Sequence, residues 1–191
     1  MPNWAIGDVE VTGKRDNVLA FVQRFVDEKN GAPEGRRFFP RSFLFGDMGY
    51  TLKCISEEFG NERETPRTVY LNVSFAWSAN SCVVSGYPQE AKDRFATLQE
   101  ACREDGVAVR ISTTETGICF YEVITCDEKG DLNAICEDLA EYRCEECGAI
   151  QCLAPWEIPE TEECAECGHI GLVLAKEGKK TQKMEVCSHG A

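Results

Sequence analysis

Hydrophobic and polar positions over the first 126 residues switch between two periods. In 6–11, Val9 and Val11 fall on one face of a short strand, the period-two signature of a half-buried sheet. Gly13 punctuates it, and Val18, Phe21, Val22, Phe25 and Val26 then recur at i, i+3, i+4, i+7 and i+8, which predicts an amphipathic helix with a core-facing stripe. Gly31, Pro33 and Gly35 end that helix. Strand-like segments follow at Phe43 to Phe45 and Tyr50 to Ile55, then a polar loop over 60–66, then a stronger strand from Thr68 to Trp77. A second helix is expected from about Gln89 to Glu104, with Ala91, Phe95, Leu98 and Cys102 inward. Two more strands, Val107 to Ser112 and Gly117 to Ile124, turn around Thr114 to Thr116. This order predicts an α+β fold with helices on one face of an antiparallel sheet.

Beyond residue 126 the pattern changes from hydrophobic periodicity to metal-ligand spacing. Cys144-x-x-Cys147-Gly148 and Cys164-x-x-Cys167-Gly168 form two knuckles, with sixteen residues from Gly148 to Glu163 between them. A C-x-x-C-G pair aims two thiolates at one point while the glycine takes a backbone conformation that a side chain resists; two such pairs complete a tetrahedron around zinc. Four thiolates leave no open coordination position, so the expected site is structural and its metal is coupled to folding. Disulfides, a redox pair and an iron centre are the other chemistries open to these cysteines. The expected layout is an α+β domain over 1–126, an acidic linker over 127–142 with a short helix from Leu132 to Tyr142, a zinc ribbon over 143–175 and a tail over 176–191.

Composition sharpens that layout. The chain has 191 residues and a formal charge of −13. From Asp127 to Glu166 there are thirteen acids against Lys129 and Arg143, a local balance of −11. Four thiolates on a divalent ion add about two negative charges. Glu145, Glu146, Glu162, Glu163 and Glu166 surround the knuckles, so polyanions should be repelled there and a basic protein attracted. A solubilising acidic face is the simpler alternative. Trp156, in the proline-flanked loop between the knuckles, is either packed over the metal or an interface anchor.

The chain holds twelve cysteines. The eight outside the knuckles, Cys54, Cys82, Cys102, Cys119, Cys126, Cys136, Cys152 and Cys187, mostly neighbour apolar residues and read as small buried hydrophobes. Residues 1–10 show no secretory pattern, so the expectation is a reducing cytosol. No window approaches the ~18 apolar residues of a membrane span.

Catalytic signatures are sparse. His169 and His189 are the only histidines, and there is no phosphate-cradling glycine loop, nucleophile elbow or H-E-x-x-H. The expectation is a protein without enzymatic activity. For nucleic acid the best segment is 36–43, in which Arg36, Arg37 and Arg41 alternate with Phe38, Phe39 and Phe43, since guanidinium groups and rings can stack on bases. Buried rings covered by snorkelling arginines explain the same pattern.

Met1-Pro2-Asn3-Trp4 leading into Val9-x-Val11-x-Gly13, the segment Phe75-Ala76-Trp77-Ser78, and Gly117-x-x-Phe120 together resemble the YubB-type ferredoxin-like proteins of phages and plasmids. Ala5 and Gly7 stand where that family usually has cysteine and asparagine, and Ala79 and Asn80 replace its prolines. The resemblance implies a βαββαβ core over most of 1–126 and an origin in a mobile element; it carries no activity or catalytic residue. The combined expectation is a protein-binding factor, an inhibitor of a host defence (anti-CRISPR-like) or nucleic-acid-handling complex, acting through the acidic ribbon in the host cytoplasm. An accessory nucleic-acid-binding protein using Arg36, Arg37, Phe39 and Arg41 is the alternative.

Overall fold

The computed structural model describes residues 3–31, 35–39, 41–84, 93–117, 119–153 and 157–178. At its centre lies β1 (Trp4–Gly13), whose Ala5, Val9 and Val11 are buried while Trp4 and Ile6 are exposed. Gly7 is required by close approach, because a Cβ there would stand 1.9 Å from the Ser112 carbonyl oxygen. The helix α1 (Arg15–Val22) follows and buries Val18, Phe21 and Val22. It stops one turn before the stripe ends, at a Gln23 cap, and Phe25 and Val26 stay buried as the chain enters β2 (Val26–Asp27).

After β3 (Ser42–Leu44), residues 48–59 form a helix, α2 (Met48–Phe59), where a strand was expected over Tyr50 to Ile55. The Asp47 side chain accepts from the Tyr50 N–H at 2.7 Å, and Gly60 closes the far end with φ 51°. Between those caps Ile55 and Phe59 are buried and Met48 and Leu52 pack beside them, a four-three-four spacing that the local aromatic content obscured. Then come β4 (Arg67–Ala76) and α3 (Leu98–Asp105). A Thr97–Glu100 capping box starts α3 at Leu98 and Gly106 ends it; the expected positions from Gln89 to Ala91 lie outside the described residues. Its inward face carries Leu98 and Cys102 as expected, whereas Phe95, expected on the same helix, is buried ahead of the cap in a bridge to Arg37 and residues 93–97 are not helical.

The remaining sheet strands are β5 (Ala108–Glu115), β6 (Phe120–Cys126) and β7 (Leu132–Asp138), and the spatial order is β2-β3-β4-β1-β5-β6-β7. Adjacent pairs are antiparallel except β2 with β3. The path β1–α1–β3 therefore returns to a strand running the same way with β4 between, and β4–α3–β5 repeats the device around β1. The helix α1 packs against both α2 and α3. One core results, in which Phe38 meets Phe25 at 4.8 Å and Phe21 at 5.4 Å between ring centroids. The chain is an α+β fold, and no helix among the described residues is long and apolar enough to cross a membrane.

The acidic linker helix expected from Leu132 to Tyr142 is instead strand. β7 pairs with β6 from Cys126↔Leu132 to Phe120↔Asp138, and β8 (Ala140–Cys144) begins two residues later. Backbone donors and acceptors along the β6 edge need partners, and the alternation of half-buried Leu132, buried Ala134 and half-buried Cys136 fits that edge better than a helix would. β8 joins β9 (Ile150–Leu153) and β10 (Leu172–Lys176) in a second sheet of order β10-β8-β9.

Candidate metal centre

Each knuckle is built by the same pair of backbone hydrogen bonds. In the first, the Gly148 N–H donates to the Cys144 carbonyl at 2.9 Å and the Cys144 N–H to Ala149 at 2.9 Å; in the second, Gly168 donates to Cys164 at 2.8 Å and Cys164 to His169 at 2.8 Å. Gly148 and Gly168 have φ of 76° and 72° with open space where a Cβ would sit, so conformation rather than crowding selects glycine there.

The four sulfurs lie within 4.8 Å of one another. Cys144 is 3.7 Å from Cys167 and Cys147 is 3.6 Å from Cys164. These gaps exceed a disulfide bond and match the edge of a tetrahedron with metal–sulfur bonds of about 2.3 Å, which is about 3.8 Å. Cys144 and Cys164 are buried, whereas Cys147 and Cys167 are exposed. The donor set fits a four-coordinate thiolate-bound metal.

Proton loss is favoured at two of the four thiols. The Cys147 and Glu146 N–H groups lower the Cys144 thiol, and those of Glu166 and Cys167 bring Cys164 down to about 7. The His169 N–H also favours the Cys167 thiolate, yet Cys147, burial, Cys144 and Cys164 together push Cys167 up to about 12. Four thiolates at one point repel one another, and a bound divalent cation would offset that repulsion and hold all four deprotonated.

Two supports were not legible in the motif. The Gln151 side chain clips the second knuckle, donating to the Glu163 carbonyl at 3.3 Å and accepting from the Ala165 N–H at 3.0 Å. Cys152, which the spacing leaves outside both knuckles, is disulfide-bonded to Cys119 across 33 residues, with Cα atoms 5.8 Å apart. The reading of Cys119 and Cys152 as free, buried small hydrophobes is corrected accordingly. Their sequence neighbours Cys126 and Cys147 are not their partners; the β6–β7 hairpin and the pairing of β9 with β8 bring the two together. The Leu139 N–H, between β7 and β8, also donates to the Cys119 carbonyl at 2.7 Å, so the disulfide sits where the large sheet passes into the ribbon. Cys82, Cys102 and Cys126 are buried as expected, and Cys54 is exposed.

Around the centre, Glu145, Glu146, Glu163 and Glu166 are exposed and Glu162 is half-buried. None of the five has an ion-pair partner among the described residues; the ribbon's one such pair joins Lys176 to Glu141. Trp156 lies outside the described residues.

The arginine segment is placed on the opposite edge of the large sheet. Arg36 is not available as expected for nucleic acid: it pairs with Glu100 at 2.9 Å and Glu104 at 2.5 Å and donates to the Phe95 carbonyl. Beside it, the buried Arg24 holds Asp105 at 2.6 Å and Glu104 at 2.9 Å, and Asp105, against the cost of burial, raises its guanidinium further above the ordinary value. Arg37 and Arg41 do remain on the surface, over the rings of Phe95 and Phe39 at 5.7 and 5.8 Å. Comparison of the chain with protein-family models, curated proteins and solved structures found no match in any of the three.

Proposed function

We propose that the chain is a non-enzymatic protein-binding factor whose metal-braced ribbon presents an acidic surface to a basic partner. The observation that carries this reading is the set of five glutamates beside the knuckles, with no cation paired to them among the described residues. Zinc is the metal proposed, because tetrahedral four-thiolate sites of this spacing suit it. Bound there it would be structural, held by Cys144, Cys147, Cys164 and Cys167, and would leave a net negative site that adds to the glutamate field. Acids fixed on braced hairpins lose less freedom on binding than acids on a loose chain. They steer a basic partner and speed its association.

The two split connections of the large sheet support a ferredoxin-like βαββαβ core made of β1, α1, β3, β4, α3 and β5, with α2 inserted and β6 and β7 added. That core agrees with the proposed kinship to the YubB-type proteins. The narrower proposal, an inhibitor of a host defence or nucleic-acid-handling complex in the cytoplasm, rests on that kinship and on the ribbon's charge.

The test replaces Glu145, Glu146, Glu162 and Glu163 with glutamine. Single exposed pairs contribute about 0.2 to 1 kcal/mol, so the fourfold change is needed for a visible effect. Metal content and melting should be retained, while capture of the partner falls, chiefly through the association rate, and the difference fades as salt rises. Equal capture by parent and variant at low and moderate salt would make the ribbon a solubilising surface only.

A further inference from the structure

The corner of the large sheet farthest along the strand order from the ribbon combines fixed arginines with exposed aromatic rings. Arg94 lies over the Phe95 ring at 5.7 Å, joining Arg37 on the same ring and Arg41 on Phe39. The two rings meet edge-on at 5.3 Å. In contrast with Arg24 and Arg36, none of these three guanidinium groups has a carboxylate partner or a hydrogen-bond acceptor among the described residues. Their backbone is rigidly set. The Arg37 N–H donates to the Arg94 carbonyl at 3.2 Å, the Ala96 N–H to the Arg37 carbonyl at 2.8 Å, and the Phe38 N–H to Arg24 at 2.8 Å.

Next to Arg41 the rings turn outward. The Ala76 N–H donates to the Arg41 carbonyl at 3.0 Å, and the Trp77 N–H to the Asn3 carbonyl at 2.8 Å, which brings Trp4 and Trp77 to the same strand ends. Trp4 is 41% and Trp77 47% exposed. Trp4 also meets Phe43 edge-on at 5.5 Å. Trp77 has φ 76°, a strained conformation for a bulky residue that is retained where the surroundings or a function demand it.

We propose that Arg37, Arg41 and Arg94 with Trp4 and Trp77 form a docking surface for single-stranded nucleic acid. Three fixed cations match the repeated phosphates of a strand, and the adjacent indoles offer faces on which unpaired bases stack. An acidic protein segment would use the cations but leave the indoles unexplained, and a duplex hides its base faces. The surface is distinct from the acidic ribbon, so each can fail without the other.

Fluorescence anisotropy of a labelled oligothymidine and a matching RNA, titrated with the full metal-loaded chain at low salt, reads the proposal directly. The logarithm of the binding constant should fall against the logarithm of salt with a slope of about −2, from three phosphate contacts at about 0.7 each. The R37Q/R41Q/R94Q variant should flatten that slope to near zero. Trp4→Ala with Trp77→Gly, the glycine chosen because it accepts the left-handed backbone, should lose about tenfold or more in affinity with the slope unchanged. Melting curves check that both variants fold. The glutamine variant of the ribbon should bind the oligonucleotide at least as well as the parent. Absence of binding by the parent, equal binding by the arginine variant, or duplex binding as tight as single-strand binding would each overturn the proposal.

Discussion

The large sheet and the ribbon are held together by different physics. Among the described residues the sheet gathers thirty buried apolar side chains into one cluster, whereas the ribbon gathers four, of which two are the metal-ligating Cys144 and Cys164. Burial at about 25 cal/mol per Å² can sustain the first but not a module of the second kind, which needs a covalent or metal staple. The ribbon has both kinds available, the four-thiolate centre and the Cys119–Cys152 bond. A domain stabilised by many small contacts tolerates the loss of one. A module that rests on a metal centre and one disulfide has few contacts to spare.

Chelation should expose that contrast most strongly. Removing metal, or changing Cys164 to serine, should abolish the ordered ribbon while far-ultraviolet circular dichroism and a cooperative melt of the large sheet persist. Loss of the sheet transition on chelation would show instead that the two regions fold as one. Truncation should be made after Asp138 rather than at the expected boundary after residue 126, since β7 completes the β6 edge.

The reverse experiment attacks the sheet. Phe75 is fully buried and touches the Phe25 ring at 6.3 Å between centroids. Phe75→Ala should destabilise the sheet by about 3–5 kcal/mol in urea denaturation. The metal content of the protein that remains folded should be unchanged, and metal loss in parallel would deny the ribbon its independence.

The disulfide links the two regions, so its removal measures their coupling. Closing a loop of 33 residues restricts the unfolded chain by about 3 to 4 kcal/mol in the entropy account. Cys119→Ser should lower the denaturation midpoint of oxidised protein by an amount of that order or less, and it should leave reduced protein unaffected. An equal effect under reducing conditions would place the role of Cys119 in packing.

The smallest expected effect is on pH dependence, and it belongs to the sheet alone. The Glu122 carboxyl is buried; although the Ala79 N–H donates to it at 2.8 Å and Thr113 lies at 3.3 Å, desolvation raises its pKa. The folded state therefore holds this proton more tightly than the unfolded state. The stabilisation is fully present below the ordinary carboxylate pKa and is lost as pH rises through the folded value. Asp27 slopes the other way. Burial opposes its charge, but the Met48 and Lys29 N–H groups and the Asn30 amide hold it below the usual carboxylate range, so its stabilisation is lost as pH falls. Glu122→Gln should flatten the loss on the rising side, read as melting temperature between pH 4 and 8, while leaving the acid side as in the parent. An unchanged profile would mean that Glu122 does not titrate in that range.

Legibility in the sequence followed the range of the forces. The buried stripe of α1 is local, because side-chain period and burial are two views of one geometry, and Val18, Phe21 and Val22 were readable without a fold. The knuckles were equally readable, because two residues between cysteines and a following glycine suffice to aim both thiolates. The α2 and β7 elements are not legible locally because their identity depends on neighbours. The Asp47 and Gly60 caps and the inward Ile55 and Phe59 define α2, and the unpaired β6 edge recruits Leu132 to Asp138.

By itself, the sequence determined an α+β domain followed by a four-cysteine module in an acidic setting, since hydrophobic period, ligand spacing and charge are all properties of near neighbours along the chain. Tertiary structure alone settles that Cys152 joins Cys119, that Arg36 pairs with Glu100 and Glu104, and that Arg94 and Arg37 share the Phe95 ring. Those are contacts between residues 33 to 68 positions apart, and the partner of a distant residue is chosen by which strands pair, which no local pattern encodes.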